Sequence, residues 1–233
     1  MSKRFFMVIT AIAVAFITAV GMCAQALNTR SVGSFSTELR VVIDAGHGGI
    51  DGGVSGVSTK VKERDINLAV SFLLEEELTA MGFAVTLTRT TDEGLYDTTA
   101  KGFKKRDMQR RKEIIEEAMP QMVISIHQNF YPSHSARGGQ VFYDEKMEGS
   151  KRLAEGIQSG LNELYATQKV KGRVCKNGDY FMLHCYPCPS VIVECGFLSN
   201  PQDEGLLCVS SWQKKLAQSI ARGVFDYFAK ESA

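Results

Sequence analysis

Four residues that lie far apart in the chain have side chains suited to metal-assisted hydrolysis. They are His47, Glu63, His127 and Glu194. Two histidines and one carboxylate with an open fourth position form the usual shell of a catalytic zinc ion, and an additional acid beside that shell supplies the general base. The spacing is long-range, unlike the compact H-E-x-x-H pattern, so these side chains can meet only if the fold brings them together.

Three of the four residues lie where an apolar, strand-like run ends. His47 belongs to VVIDAGHGG, His127 to VISIHQN and Glu194 to VIVECGF. In a parallel α/β sheet, ligands collect at the carboxyl ends of the strands. The pattern therefore predicts one site at one edge of a sheet, and the glycines around His47 leave little bulk beside it.

Each residue also has a purely structural interpretation. Glu63 stands at the start of a predicted helix, where the helix dipole favours a surface acid in any case. His127 could be a hydrogen-bonded core histidine. Glu194 is the strongest anomaly, because it interrupts a strand that should be buried on both faces. It is either a member of a structural ion pair or an acid whose pKa is tuned for proton transfer.

The elements that would position these residues alternate between short apolar runs and amphipathic stretches, which is typical of βαβ units. We predict one α/β domain over residues 39–230, a mostly parallel twisted sheet of about six strands flanked by helices on both faces. The predicted strands cover residues 39–44, 84–89, 122–127, 140–143, 180–183 and 191–195. The predicted helices cover residues 63–81, 106–118, 150–165 and 211–228.

The first 26 residues resemble an export segment. Lys3 and Arg4 precede an apolar stretch from Phe5 to Val20, and small residues follow at Ala24-Gln25-Ala26. This order predicts an exported protein. Residues 1–26 are interpreted either as a cleaved signal peptide or as an uncleaved membrane anchor, since the apolar stretch is nearly long enough to span a bilayer. Contact with a membrane is expected only through this segment.

The charge balance argues against nucleic acid binding. The chain has 27 basic and 26 acidic residues, a formal net charge of +1, and no basic surplus of the kind that a nucleic acid site requires. Residues 101–112 are the most basic window. We interpret this window as a solvated helix face, with contact to an anionic polymer as the alternative.

Four sequence blocks carry a family resemblance. In chain order they are VVIDAGHGGIDGG, KERDINL, SIHQN and PSVIVECGFLSNPQD. Together they resemble the zinc-dependent N-acetylmuramoyl-L-alanine amidases that cleave peptidoglycan, over roughly Arg40 to Phe228. The resemblance implies that His47, Glu63 and His127 bind zinc and that Glu194 is catalytic. It assigns supporting roles to Asp44, Asn67 and Asn129.

The resemblance also implies a reaction and a subtype. The reaction is hydrolysis of the amide bond between the lactyl group of N-acetylmuramic acid and the L-alanine of the stem peptide. The chain departs from the family at Gln128, where a small residue is common, and it lacks the long insertion that some division amidases use as a blocking helix. A short exported domain of this kind looks most like the spore-cortex amidases. Activation by a protein partner is left open.

Two other classes of protein remain as alternatives. A cysteine peptidase would use Cys185 or Cys195 with His184 or His127, but no cysteine stands at a helix start that would favour a thiolate. The second alternative is a non-catalytic peptidoglycan-binding module. Glu194 speaks against this module, because binding alone does not need a buried general base.

Overall fold

A six-stranded sheet organises the described part of the chain, which in this computed structural model is residues 38–231. The strands are β1 (Arg40–Ala45), β2 (Ala84–Leu87), β3 (Met122–Asn129), β4 (Gln140–Tyr143), β5 (Lys176–Asn177) and β6 (Ser190–Phe197). The helices are α1 (Glu63–Ala80), α2 (Phe103–Ala118), α3 (Ser150–Ala166), α4 (Phe181–His184), α5 (Pro201–Leu207) and α6 (Ser210–Glu231).

The strand order is β2-β1-β3-β6-β4-β5. The first four strands in this order are mutually parallel, β4 runs antiparallel to β6, and β5 pairs in parallel with β4. The predicted α/β class with a mostly parallel sheet of about six strands is therefore confirmed.

Helices cover both faces of the sheet, as predicted. One face packs against α1, α3 and α6 and forms the larger apolar cluster, which includes Leu74, Ile157 and Ile220. The other face forms a smaller cluster with Ile115 of α2 and Leu183 of α4. His127 and Glu194 project from this second face, since side chains alternate along a strand and both share its side with Val123 and Ile192.

The predicted strand over residues 180–183 is wrong. Phe181–His184 is the short helix α4, and the backbone N–H of Leu183 donates to the carbonyl of Tyr180 at 2.9 Å. Consecutive residues Met182 and Leu183 are both buried, which a strand with alternating faces does not produce. An apolar run of four residues does not by itself distinguish the two structures.

Helix α5 was absent from the expected elements. Asn200 caps it by accepting hydrogen bonds from the backbone N–H groups of Gln202 and Asp203, and Pro201 occupies the first turn. Asparagine followed by proline is a recognised helix start, so the signal was present in the sequence.

The predicted signal peptide or anchor, residues 1–26, lies outside the described residues. Among residues 38–231, no helix combines the length and the apolar character needed to cross a membrane.

Candidate active site

Three residues predicted to bind metal meet beside the sheet. Glu63 Oε1 lies 3.3 Å from His47 Nε2 and 2.9 Å from His127 Nδ1. One ligand atom from each residue can be chosen so that all three lie within 4.8 Å of one another. The two imidazole rings stand edge to face with centroids 5.0 Å apart. This arrangement is able to hold a metal ion.

Glycines make room for these three side chains. His47 itself has a left-handed backbone with φ of 61°, and Gly48 and Gly49 continue the sharp turn after β1. A Cβ atom on Gly46 would collide with the His127 ring, and one on Gly53 would collide with the Glu63 carboxylate and approach His47 Cδ2 at 2.8 Å. Any larger residue at these two positions would displace a ligand.

Glu63 is held in place by the backbone around it. Its Oε2 accepts from the N–H of Val54 at 2.9 Å, and its Oε1 accepts from the N–H of Gln128 at 3.0 Å. Burial alone would raise the pKa of Glu63, but the hydrogen bonds and charges of His127 and His47 outweigh it and hold this pKa well below its usual value. The carboxylate is therefore ionised and oriented before any ligand binds.

Asn67 and Asn129, two of the expected supporting residues, differ in whether they contact the candidate ligands. Asn67 donates to the carbonyl of Gly46 at 3.1 Å and to Glu63 Oε1 at 3.4 Å, so it joins the turn after β1 to the carboxylate. Asn129 instead accepts from the N–H of Phe130 at 2.8 Å. No side-chain contact between Asn129 and the three ligands is among those described for residues 38–231.

Asp51 orients His47. Its Oδ2 lies 3.2 Å from His47 Nδ1, the nitrogen opposite the one that faces Glu63. Burial would lower the pKa of His47, but Glu63 and Asp51 together raise it above its usual value. A carboxylate on the far nitrogen is the usual orienting partner of a metal-binding histidine. The sequence signal for Asp51 was its position four residues after His47 in the glycine-rich turn.

Two arginines fix the backbone that leads to His47. Arg111 donates to the carbonyl oxygens of Ala45 at 2.8 Å and His47 at 2.6 Å. Arg89 donates to those of Ala45 at 2.9 Å and Gly46 at 3.1 Å. Three consecutive carbonyl groups are therefore held by guanidinium groups, so the position of His47 depends on two distant parts of the sequence.

Arg111 corrects the interpretation of residues 101–112 as a solvated helix face. Most cations of that window are exposed, but Arg111 is 1% exposed and pairs with Asp44 at 2.5 Å and Asp107 at 2.7 Å. Arg111 and Ile115, one helical turn apart, are the buried residues of α2, whereas Ile114 is only partly buried.

Glu194 lies next to His127, its partner in the pairing of β3 with β6. Its Oε2 is closed off from solvent and has no hydrogen-bond partner. Burial raises the pKa of Glu194 to about 7; the charge of Glu63 adds to this effect, while His127 and His47 oppose it. A carboxyl group with such a pKa can both accept and release a proton near neutral pH.

A cavity of roughly 330 Å³ opens beside the two histidines. Its walls are largely apolar and include Tyr96, Phe103, Tyr180, Phe181 and Ile192. The loop after β2 and the helices α2 and α4 supply most of this wall. His47 and His127 line this cavity, so it makes two of the three candidate metal ligands accessible to a small molecule.

The cysteines lack the environment of a nucleophile. Burial raises the pKa of Cys185 and that of Cys195 to about 12, and that of Cys188 to about 11. All three thiols are buried and unpaired. A thiolate is therefore disfavoured at neutral pH, which argues against the cysteine peptidase alternative.

Comparison with known proteins agrees with this geometry. Residues 41–226 match the family model described as N-acetylmuramoyl-L-alanine amidase. A germination-specific N-acetylmuramoyl-L-alanine amidase of Bacillus subtilis (strain 168) is 36% identical over 196 residues, covering 82% of this chain and 80% of the relative.

Solved structures give the same result. The CwlD amidase of Clostridioides difficile, solved in complex with the GerS lipoprotein, has a TM-score of 0.78 at 35% identity and covers 82% of this chain and 99% of that one. The catalytic domain of the amidase CwlV from Bacillus (Paenibacillus) polymyxa has a TM-score of 0.71 at 29% identity, covering 82% and 98%. The chain therefore belongs to the N-acetylmuramoyl-L-alanine amidase family of enzymes.

Proposed function

We propose that the protein is a zinc-dependent amidase that cleaves the bond between the lactyl group of N-acetylmuramic acid and the L-alanine of the peptidoglycan stem. His47, Glu63 and His127 bind the zinc ion, and Glu194 transfers protons. The observation that carries the proposal is the unpartnered Oε2 of Glu194, beside a cluster of two histidines and one carboxylate.

The donor set suits zinc. Two imidazole nitrogens and one carboxylate oxygen are the ligands of many catalytic zinc sites, and Asp51 gives His47 the orienting partner that such ligands have. The glycines at 46 and 53 keep the space around the ligands clear. When bound, zinc supplies a Lewis acid that polarises a carbonyl oxygen and makes water more acidic.

Glu194 performs the two proton transfers. As a carboxylate it takes a proton from the attacking water, and a new C–O bond forms at the lactyl carbonyl carbon. It then gives that proton to the alanine nitrogen as the C–N bond breaks. The products are a glycan strand with a free lactyl carboxylate and a stem peptide with a free L-alanine amino group.

The cellular setting follows from the relatives and from the first residues of the chain. The germination-specific relative supports a role in the spore cortex, and residues 1–26 support export as a signal peptide or anchor. The related amidase solved with a lipoprotein supports an activating protein partner at the cell envelope.

The test is to identify the ends released from intact peptidoglycan. Purified protein is incubated with zinc, with a chelator, and with zinc after thiol alkylation, and the products are identified by mass spectrometry. We expect stem peptides that begin with L-alanine, in the zinc and alkylated samples only. New amino termini within the stem, or activity that survives the chelator and is lost on alkylation, would refute the proposal.

Glu194→Gln separates an enzyme from a binding module. The variant should bind wall fragments as the wild type does but release peptide about 10²–10⁴-fold more slowly. Equal release by the variant and the wild type would remove Glu194 from the mechanism.

A further inference from the structure

A basic pocket of roughly 540 Å³ lies between two loops, one joining β3 to β4 and one following α3. Its lining includes Arg137, Lys169, Lys171 and Arg173 and contains no acidic residue. Because the chain as a whole is almost neutral, four cations in one pocket are not a consequence of composition. We call this surface the basic pocket.

Two of the four cations are fixed in place. Arg137 Nε donates at 2.8 Å to Oδ1 of Asp203, which is fully buried. Arg173 Nε donates to the carbonyl of Arg137 at 2.7 Å, and its guanidinium lies 4.7 Å from the centroid of the Phe197 ring. These contacts hold Arg137 against α5 and Arg173 against Phe197 of β6, so little conformational entropy is lost when they bind a ligand.

The other two cations are available. Lys169 and Lys171 are exposed, and no ion pair is described for either within residues 38–231. Asp203 forms an ion pair with Arg137 and neutralises one of the four positive charges. The pocket therefore keeps an excess of about three positive charges at the surface, which favours an anionic ligand.

The loop that carries Arg137 leads directly into β4, the strand that pairs with β6 at Glu194. Gln140 is paired with Glu194, and a Cβ atom on Gly139 would lie 3.4 Å from the Glu194 carbonyl oxygen. Arg137 precedes Gln140 by three residues, a chain distance of about 10 Å at roughly 3.3 Å per residue. An extended peptide of four residues spans about 13 Å, a length comparable with this separation along the chain.

We propose that the basic pocket binds the carboxylate groups of the stem peptide. The proposal rests on the proposed function, because it takes the stem to be the leaving group at Glu194. Guanidinium groups bind carboxylates through paired hydrogen bonds, and the two lysines add point charges at the rim. The pocket thus selects stems with free carboxylates over amidated ones.

The kinetic test removes the two exposed lysines. The double variant Lys169→Gln/Lys171→Gln is compared with Lys214→Gln/Lys215→Gln, which removes the same charge from exposed positions on α6. On wall fragments with free carboxylates we expect KM to rise roughly three- to tenfold with kcat unchanged, as for the loss of rim charges. The control should match the wild type. An unchanged KM, or an equal rise in the control, would overturn the proposal.

A binding test keeps this proposal separate from the proposed function. A synthetic acidic tetrapeptide that begins with L-alanine is titrated into the wild type and both double variants, beside its amidated form and a polyphosphate of similar charge. We expect binding of the free-carboxylate peptide, weakened roughly three- to tenfold by amidation and in Lys169→Gln/Lys171→Gln. Equal binding of the amidated peptide, or preference for polyphosphate, would overturn the carboxylate assignment. Peptide binding without any amidase turnover would instead count against the proposed function.

Discussion

Asp44 and Glu194 are both acids that project from the same face of the sheet, on the two strands that flank β3. Asp44 accepts hydrogen bonds from Arg111 at 2.5 Å, Ser125 at 2.5 Å and Thr88 at 2.8 Å. Burial would raise its pKa, but Arg111 and Ser125 lower it to about 2. Glu194 has an oxygen without any partner and a pKa raised to about 7.

The difference separates a structural acid from a reactive one. Both carboxylate oxygens of Asp44 accept hydrogen bonds, one of them from Arg111, and Arg111 fixes the backbone of His47. Glu194 retains an oxygen without a hydrogen-bond partner, on the residue that the proposed mechanism uses for proton transfer. Buried polar groups are normally satisfied, so an unsatisfied carboxylate beside a candidate metal site indicates chemistry rather than stability.

The largest expected effect concerns the rate. Glu194→Gln should lower kcat by about 10²–10⁴-fold, the usual contribution of an acid–base group. Its unfolding free energy should be equal to or higher than that of the wild type, because the variant no longer buries an unpaired acid. Turnover and urea unfolding on the same preparation test both parts. A variant that is much less stable than the wild type would assign a structural role to Glu194.

Asp44→Asn should mainly lower the unfolding free energy, whereas Glu194→Gln should mainly lower kcat. The variant removes one of the two carboxylates that pair with the buried Arg111 and leaves Asp107, so the cost should approach the value of about 3–5 kcal/mol for breaking a buried ion pair. Urea unfolding of the metal-free protein measures the loss. If stability were unchanged while turnover fell as far as in Glu194→Gln, the contrast between the two acids would fail.

Asp51→Ala should weaken zinc binding without removing it. Loss of a partner that orients a ligand typically reduces metal affinity by about 10–100-fold. Competition with a fluorescent chelator measures the affinity, and Asp65→Ala, an exposed acid in the first turn of α1, is the control. Equal affinities for Asp51→Ala and the wild type would mean that Asp51 does not orient His47.

The smallest effect is the acid dependence of stability. The folded-state pKa of Asp44 lies near 2, below its usual value of 3.8, so Asp44 stabilises the fold above about pH 4 and this contribution is lost as the pH falls toward 2. The two values correspond to about 2 kcal/mol. Urea unfolding of metal-free protein from pH 5 to pH 2 should show a shallower decline in Asp44→Asn. Parallel curves would contradict the assignment.

The same contrast shows what the sequence could predict. The sheet, most helices and the proximity of His47, Glu63 and His127 follow from apolar runs that end in polar residues, together with the family blocks. The prediction of a strand at 180–183 was wrong because a run of four apolar residues fits both a strand and a short helix. Arg111 was taken for a surface cation, because a charged helix face looks the same in sequence whether one of its residues is buried or not. Its partner Asp44 lies 67 residues away, so no pattern within one helix or strand could predict the pairing.

Counting zinc in Glu63→Ala and Glu194→Ala distinguishes a metal ligand from a general base. Both variants, prepared with the same zinc supply, are assayed for bound metal by elemental analysis and for turnover on intact peptidoglycan. We expect Glu63→Ala to lose most of its zinc and its activity, whereas Glu194→Ala keeps one zinc ion per chain and is inactive. Loss of zinc from Glu194→Ala, with zinc and activity both retained by Glu63→Ala, would contradict the assignment of the two acids.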